Sequence, residues 1–232
     1  MSKVRIVGIS SSPRRANTEL LVKEALAAAE AEFDVQTEFV SFKGKKISGC
    51  LDCKSCERRR EERLVDQCIL EDDWKELVTP LVGPVPNGVI IGAPVYFANV
   101  NAQLRAFMER CTSLFKPHWR PEMPYTPVDW TRTAGGAVSV GFHRHGGQEM
   151  AVNTILQWML ISGFVVVGSS NREKGPIGYF GGEAWQDVTG ESSRDSVLKD
   201  EWGLLSARVV GERVAEMATL LATEAQSSGK AE

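Results

Sequence analysis

Residues 3–18 read KVRIVGISSSPRRANT, and this stretch decides the fold. The segment Lys3–Ser10 is β-branched and apolar beyond Arg5, which predicts a strand that is buried on both faces. A polar turn follows, and then Thr18–Glu32 carries apolar residues at helical spacing among alanine, leucine and glutamate. A buried strand joined to a helix by a short turn opens a βαβ unit, so we expect a parallel sheet.

The same alternation continues along the chain. Further strand patterns lie at 35–42, 88–93, 136–141 and 164–168. Further helical patterns lie at 72–79, 99–115, 147–162 and 200–225. We expect Asp72 or Asp73 to cap the helix at 72–79 and Pro80 to end it. The whole pattern predicts an α/β fold with a doubly wound, five-stranded parallel sheet in the order 2-1-3-4-5 and helices on both faces.

Length and composition exclude several classes of protein. The 232 residues are expected to form a single domain over 1–226, with a cysteine-rich loop at 47–68 and a disordered tail at 227–232. Hydrophobic residues make up 43% and charged residues 25%, so a disordered or fibrous chain is excluded. The net charge of −3 offers no electrostatic basis for binding nucleic acid. No apolar run approaches the roughly 20 residues that span a bilayer and no signal peptide is recognisable, so we expect a cytoplasmic protein without a membrane partner.

The loops after strands 1, 3 and 4 are expected to form the site, because ligands of doubly wound sheets bind at the carboxyl ends of strands. The first loop, Ser10–Thr18, combines hydroxyls, two guanidinium groups and the free N–H groups of a helix start. That chemistry suits a phosphate, although an ordinary capped turn explains the same residues equally well. The loop contains neither GxGxxG nor GxxxxGK[ST], so a dinucleotide fingerprint and a P-loop are not supported.

The other two loops offer aromatic rings and glycines. After strand 3, Pro94–Asn101 (PVYFANVN) places two neighbouring aromatics at the mouth of the sheet, where they line a flat ligand or merely fill space. After strand 4, Phe142–Gly147 (FHRHGG) contains a Gly-Gly step that suggests close backbone approach to a ligand. A metal role for His143 and His145 has little support, because no carboxylate pair or serine nucleophile keeps a fixed spacing with them.

Three motifs together, the SxSPRxxNT turn, the APVYF segment before a helix containing MERC, and the GG-containing fourth loop, resemble the NAD(P)H-dependent FMN reductase family of flavodoxin-like proteins. The match covers the chain from Lys3 to about Ala218. The resemblance implies that the FMN phosphate is held by Ser10, Ser12, Arg14, Asn17 and Thr18. It also implies that the isoalloxazine ring is lined by Pro94, Val95, Tyr96, Phe97 and Asn99, and bordered by Phe142, Gly146 and Gly147.

Four of the five cysteines lie in one segment. Cys50, Cys53 and Cys56 follow one another at two-residue gaps, and Cys68 comes after eleven intervening residues. Such a tight loop can bind one side of an iron–sulfur cubane with a distal cysteine as the fourth ligand. The pattern resembles the iron–sulfur flavoproteins, a branch of the same fold in which the fourth cysteine usually follows at a shorter gap. The resemblance implies a [4Fe-4S] cluster, while a zinc site and a loop that binds no metal remain alternatives. Cys111 is expected to be a buried core thiol.

These patterns lead to a functional hypothesis. We expect an FMN-dependent oxidoreductase that moves electrons from NAD(P)H or a reduced carrier to an acceptor, with no indispensable acid–base side chain. The alternatives are an NAD(P)H:FMN or quinone reductase without a cluster and a non-enzymatic, flavodoxin-like electron carrier. The family resemblance further implies a homodimer or homotetramer, for which segments 116–133 and 169–199 are the candidate contacts.

Overall fold

The computed structural model describes residues 3–190 and 192–228. The strands are β1 (Val4–Ser10), β2 (Val35–Ser41), β3 (Gly88–Tyr96), β4 (Asn99–Val100), β5 (Ala134–Gly141), β6 (Val165–Val166), β7 (Ser170–Asn171), β8 (Gly175–Pro176) and β9 (Gly182–Trp185). The helices are α1 (Asn17–Glu32), α2 (Ser55–Arg58), α3 (Trp74–Val82), α4 (Ala102–Arg110), α5 (Thr112–Trp119), α6 (Gln148–Ile161) and α7 (Glu201–Ser228). Short 3₁₀ turns cover Leu64–Gln67 and Ser196–Lys199.

Parallel strands form the central sheet in the order β2-β1-β3-β5-β6. Ser10, the last residue of β1, lies beside Ser41 of β2 and Gly92 of β3, and Gly92 in turn lies beside Val138 of β5. The predicted order 2-1-3-4-5 corresponds to this path, but the sheet also contains β4 and β9, so the exact order differs slightly from the prediction. The carboxyl ends of β1, β3 and β5 are therefore neighbours, which brings the three predicted site loops to one edge of the sheet.

The fifth position of the sheet differs from the prediction, because two short strands share it. β6 pairs with β5 only at Ala134 and Gly135, and β9 pairs in parallel with Val138–Gly141 farther along the same strand. Residues 167–181 leave the sheet between them and include the β7–β8 hairpin. β9 reads GEAW and lacks the β-branched run that identifies a strand, so the sequence pattern missed it. The two-residue β4, which pairs antiparallel with β3, was also missed.

Apolar side chains cover both faces of the sheet, as predicted. Val7 and Ile9 of β1 belong to a core that includes Trp74 of α3 and Phe107 of α4. Ile6 points to the opposite face and belongs to a second core, which α1 and α7 complete. Successive strand residues point to opposite faces, so one buried strand contributes to both cores.

Two predicted helices differ from those in the structure. Pro80 does not end α3, which continues to Val82. Leu81 is fully buried and its carbonyl accepts the Trp130 indole N–H at 2.9 Å, so packing outweighs the lost backbone bond. The predicted helix 99–115 is instead two helices, which begin at Ala102 and meet at Cys111, and α5 extends through Pro117 to Trp119.

The remaining differences concern loops and the end of the chain. The cysteine-rich segment 47–68, predicted as a loop, contains α2 and the 3₁₀ turn at Leu64–Gln67. The last helix runs to Ser228, two residues into the predicted tail, and residues 229–232 lie outside the described residues. Within the described ranges, no helix combines the length and hydropathy that crossing a bilayer requires.

Candidate functional site

The turn after β1 contains a buried hydroxyl without a partner. Ser10 is fully buried, and its Oγ forms no hydrogen bond with any described residue. The hydroxyl of the next residue, Ser11, instead donates to Asn101 Oδ1 at 2.8 Å, and the Asn101 amide donates back to the Ser11 carbonyl at 2.8 Å. Buried polar groups normally have partners, so the Ser10 hydroxyl is suited to a ligand atom.

The start of α1 faces the same turn without a side-chain cap. The N-cap residue is Ala16, and no side-chain hydrogen bond caps this helix. An ordinary capped turn, the alternative explanation of this segment, therefore does not describe it. The first-turn N–H groups of a helix have no intrahelical acceptor and carry partial positive charge, which favours an anion. Thr18 is buried in this first turn, whereas Arg14 is exposed.

Two predicted phosphate ligands already have partners within the protein. The Asn17 side chain donates to Gln186 Oε1 and the Ser193 carbonyl, and accepts the Val197 N–H at 2.9 Å. Asn17 therefore fastens the segment before α7 to the start of α1. The Ser12 hydroxyl accepts the Arg14 N–H at 3.2 Å, which shapes the turn itself.

The aromatic loop after β3 is a tight hairpin turn. Phe97 and Ala98 have φ angles of 47° and 62°, values that side chains other than glycine rarely adopt. Two residues with positive φ form the turn that suits the twist of a hairpin, here between β3 and β4. The Phe97 side chain is completely exposed and Tyr96 is half-exposed, so neither fills space beneath the loop. Both rings are available at the surface of the site.

Other residues of this loop have structural contacts. Pro94 is buried within β3 beside Val140, so its ring is part of the sheet. Asn99 does not cap α4, whose N-cap is Asn101. The Asn99 Oδ1 instead accepts the Thr154 hydroxyl at 2.8 Å, which fastens the turn to α6.

A glutamine that the sequence analysis missed holds the loop after β5. Gln148 Nε2 donates to the His143 carbonyl at 2.8 Å, and its Oε1 accepts the Gly146 N–H at 2.8 Å. Trp185 of β9 adds a second support, because its indole N–H donates to the Phe142 carbonyl at 2.8 Å. The Gln148 and Trp185 side chains both bond to backbone groups of the loop. Every residue type has the same backbone groups, so no sequence motif identifies these contacts.

The Gly-Gly step packs against the aromatic turn. Gly147 has a φ of 103°, and a Cβ there would lie 2.8 Å from the Ala98 carbonyl carbon. The close backbone approach that was predicted toward a ligand is therefore made by Gly147 to Ala98. Glycine at this position allows the second and third site loops to touch.

The structure brings the four clustered cysteines to one small cavity. Cys50, Cys53, Cys56 and Cys68 all line a space of about 50 Å³, together with Arg110 and Lys116. The eleven residues between Cys56 and Cys68 include the end of α2 and the 3₁₀ turn at Leu64–Gln67. No three His, Cys, Asp or Glu side chains in the described part of the chain form a ready-made site for a single metal ion. Cys111 is fully buried away from this cavity, as predicted.

Glu57 anchors the cysteine segment to α5. Its carboxylate accepts hydrogen bonds from Lys116 Nζ at 2.8 Å and Arg120 Nε at 2.9 Å. Both hydrogen bonds lower the pKa of Glu57, to about 2, and the bond from Lys116 has the larger effect. The Tyr125 hydroxyl also donates to the Glu61 carbonyl. The segment 116–133 therefore packs on the cysteine segment and, through the fully buried Trp130, on the core.

The environments of the cysteine thiols differ. Hydrogen bonding from Ser55 lowers the pKa of the Cys53 thiol, which favours the thiolate that binds metals. Burial raises the pKa of the Cys56 thiol, and the Lys116 ammonium acts in the opposite direction. Asp52 and Lys54, the residues on either side of Cys53, have φ angles of 49° and 58°, which lie in the left-handed region.

Comparisons with known proteins show which sequences this chain resembles. The family model described as NADPH-dependent FMN reductase matches residues 4–173. An iron–sulfur flavoprotein of Methanocaldococcus jannaschii is 35% identical over 94% of this chain and 99% of its own length. One from Archaeoglobus fulgidus is 35% identical over 91% of this chain and 96% of its own.

A solved structure confirms the fold class. The flavodoxin, WrbA-like protein from Agrobacterium tumefaciens matches 94% of this chain and 99% of its own with a TM-score of 0.51 at 16% identity. The predicted flavodoxin-like arrangement of a parallel sheet between helices is therefore confirmed.

Proposed function

Because this chain belongs to the NADPH-dependent FMN reductase family, and is thus a flavin oxidoreductase, we propose that it binds FMN, takes electrons from NAD(P)H or a reduced carrier, and delivers them to an acceptor. Bound FMN would supply the electron-transfer chemistry. The protein would supply the phosphate pocket and the orientation of the ring.

The unpartnered, buried Ser10 hydroxyl is the observation that carries this proposal. It lies at the carboxyl end of β1, where the uncapped start of α1 also lies. A phosphate would accept hydrogen bonds from Ser10 and from the first-turn N–H groups around Thr18. Arg14 is exposed and adds a positive charge at the rim of this pocket.

The ring end of the ligand would meet the two remaining loops. Tyr96 and Phe97 offer exposed aromatic side chains, and the loop Phe142–Gly147, which touches the aromatic turn at Ala98, would border another side of the ring. Asn17, Pro94 and Asn99 have structural contacts, so we assign them to positioning the site. Val95 and Gly146 would border the ring through their backbone.

We further propose that Cys50, Cys53, Cys56 and Cys68 hold a [4Fe-4S] cluster. Four cysteines line one cavity and are the number of ligands that such a cluster takes, and the nearby Lys116 and Arg110 would offset its negative charge. Two relatives at 35% identity are iron–sulfur flavoproteins by name, which supports the cluster over zinc. A cluster would supply one-electron transfer.

The surroundings of the protein follow from the same proposal. The thiols that would bind the cluster persist in a reducing compartment, so we place the protein in the cytoplasm. We also propose a homodimer or homotetramer. Both candidate segments carry a large exposed aromatic side chain, Tyr179 in segment 169–199 and Trp119 in segment 116–133, which an interface between copies would cover.

Anaerobic purification tests both cofactors separately. We expect a yellow-brown protein that releases FMN on denaturation, contains about four iron and four sulfide per chain, and oxidises NADH or NADPH. A flavin-containing, iron-free protein that oxidises the nicotinamides would contradict the cluster and leave the plain reductase. Bound FMN without nicotinamide oxidation would indicate an electron carrier. A colourless protein that takes up no added FMN would refute the whole proposal.

A further inference from the structure

A cavity of about 660 Å³ lies beyond β9, at the outer edge of the sheet. Its walls come from the start of α6, from β9, from the loop before β9 and from the start of α7. Small-molecule sites typically have volumes of about 300–1,000 Å³. The cavity is separate from the cysteine segment. It meets the candidate flavin site at the loop before α6 and at Gln148 and Trp185, which hold that loop.

Glu183 provides an unused acceptor in this cavity. Its neighbour Ala184 belongs to the core on the α7 side, so Glu183 projects from the opposite face of β9, toward α6. Its Oε1 is buried and accepts no hydrogen bond from any described residue. Burial, and secondarily the carboxylate of Glu149, raise the pKa of Glu183 to about 7.

The rest of the cavity lining combines aromatic and apolar side chains with polar and charged ones. Trp185 and Trp202 line it together with Met150 and Ile177. Asp200 also lines it, but its two oxygens accept the Trp185 and Gly203 N–H groups at 2.7 and 3.0 Å. Arg144 and His145 line the side toward the loop before α6.

Hydrogen bonds from β9 to the start of α7 disfavour the addition of another strand at this edge of the sheet. The outward N–H groups of β9 are already bonded, that of Glu183 to the Ser206 hydroxyl at 3.0 Å and that of Trp185 to Asp200. An edge strand whose donors are occupied does not offer a template for another strand. The cavity is therefore suited to a small molecule.

We propose that this cavity binds a small organic ammonium ion, with the charged nitrogen on Glu183 and the apolar body against Trp185 and Trp202. An ammonium group supplies the donor that Oε1 lacks and offsets the repulsion between Glu183 and Glu149. Indole faces attract cations, which adds to the hydrophobic contact. The proposal does not depend on the function assigned to the flavin site.

Calorimetric titration of the FMN-loaded protein at pH 8 tests this proposal, with benzylammonium as the probe and benzyl alcohol as its neutral counterpart. We expect saturable binding of benzylammonium, and binding at least about ten-fold weaker for the alcohol and for Glu183→Gln. Trp202→Leu should weaken binding several-fold. Glu122→Gln, which changes an exposed glutamate elsewhere, should bind like the wild type.

Thermal melts and circular dichroism establish that each variant is folded. If Glu183→Gln fails to fold, the comparison of the two probes and the Trp202→Leu variant still decide the matter. Absence of saturable benzylammonium binding to the wild type, or equal affinity for the alcohol, would overturn the proposal. Unchanged affinity in a folded Glu183→Gln protein would do the same.

Discussion

The hydroxyl of Ser10 is buried at the end of β1 without a partner, which is costly unless a ligand satisfies it. We expect Ser10→Ala to raise the dissociation constant for FMN about ten- to a hundred-fold, because a hydrogen bond to a charged group contributes about 1.5–3 kcal/mol. Quenching of FMN fluorescence on titration measures this. The matched control is Ser169→Ala, which removes another buried, unpartnered hydroxyl away from the site loops. Equal effects of the two changes would contradict the phosphate assignment.

Gly147 combines a left-handed backbone with contact to Ala98. We expect Gly147→Ala to destabilise the protein by more than the roughly 1–2 kcal/mol of left-handed strain, and to weaken FMN binding, because the clash separates two site loops. Urea unfolding and flavin titration measure the two effects. Gly175→Ala is the control, since Gly175 also has a positive φ but no atom within 4 Å of a built Cβ. A smaller loss of stability in Gly147→Ala than in Gly175→Ala would contradict the predicted clash with Ala98.

The raised pKa of Glu183 predicts a pH-dependent stability. In the folded protein the carboxyl stays protonated up to a pH of about 7, whereas in the unfolded chain it ionises near its ordinary value of 4.5. Between these two values the unfolded chain is favoured because only in that state is the carboxylate readily formed, so stability falls progressively as pH rises from about 4.5 to about 7. We expect Glu183→Gln to raise the melting temperature at pH 8 and to change it little at pH 4.5. An equal change in melting temperature at pH 4.5 and at pH 8 would contradict the raised pKa of Glu183.

Among the elements, α2 is held in place mainly through Glu57. The carboxylate bonds to Lys116 and Arg120 of the α5 region, and its lowered pKa means that this stabilisation is present above pH 4.5 and is lost as pH falls toward about 2. We expect Glu57→Gln to cost about 1–2 kcal/mol at pH 7 and to speed the loss of iron from the proposed cluster to a chelator. Unfolding in urea and iron release measure these effects. Glu62→Gln, a change in the same segment, should leave both unchanged, and an equal effect there would contradict the anchoring role.

The helices and strands also show which features sequence patterns can predict and which they cannot. The opening strand and α1 were predicted within one residue, because long apolar periodicity reports local structure directly. The limits at Pro80 and Cys111 were missed, since they depend on burial of Leu81 and on the packing of α4 against the core. β9 was missed because a four-residue strand with glycine and glutamate is defined only by its partner β5.

For the whole molecule, we expect self-association. The exposed Tyr179 and Ile161 leave large apolar side chains in water, which an interface between copies would cover. Sedimentation of the FMN-loaded protein should give two or four times the chain mass of 25.5 kDa. A monomer at micromolar concentration would contradict this expectation. Tyr179→Ser should shift the equilibrium toward smaller species if segment 169–199 forms the contact.

The sequence by itself determined the alternation of strands and helices, the three loops at the carboxyl ends and the cysteine spacing. These follow from periodicity and from residue types within short windows. Only the tertiary structure decided that Cys68 reaches the same cavity as Cys50, that Gln148 and Trp185 support the fourth loop, and that Glu183 lies unpartnered beside Glu149. Such contacts join residues far apart in the chain and often involve backbone atoms, which are the same for every residue type, so no local pattern records them.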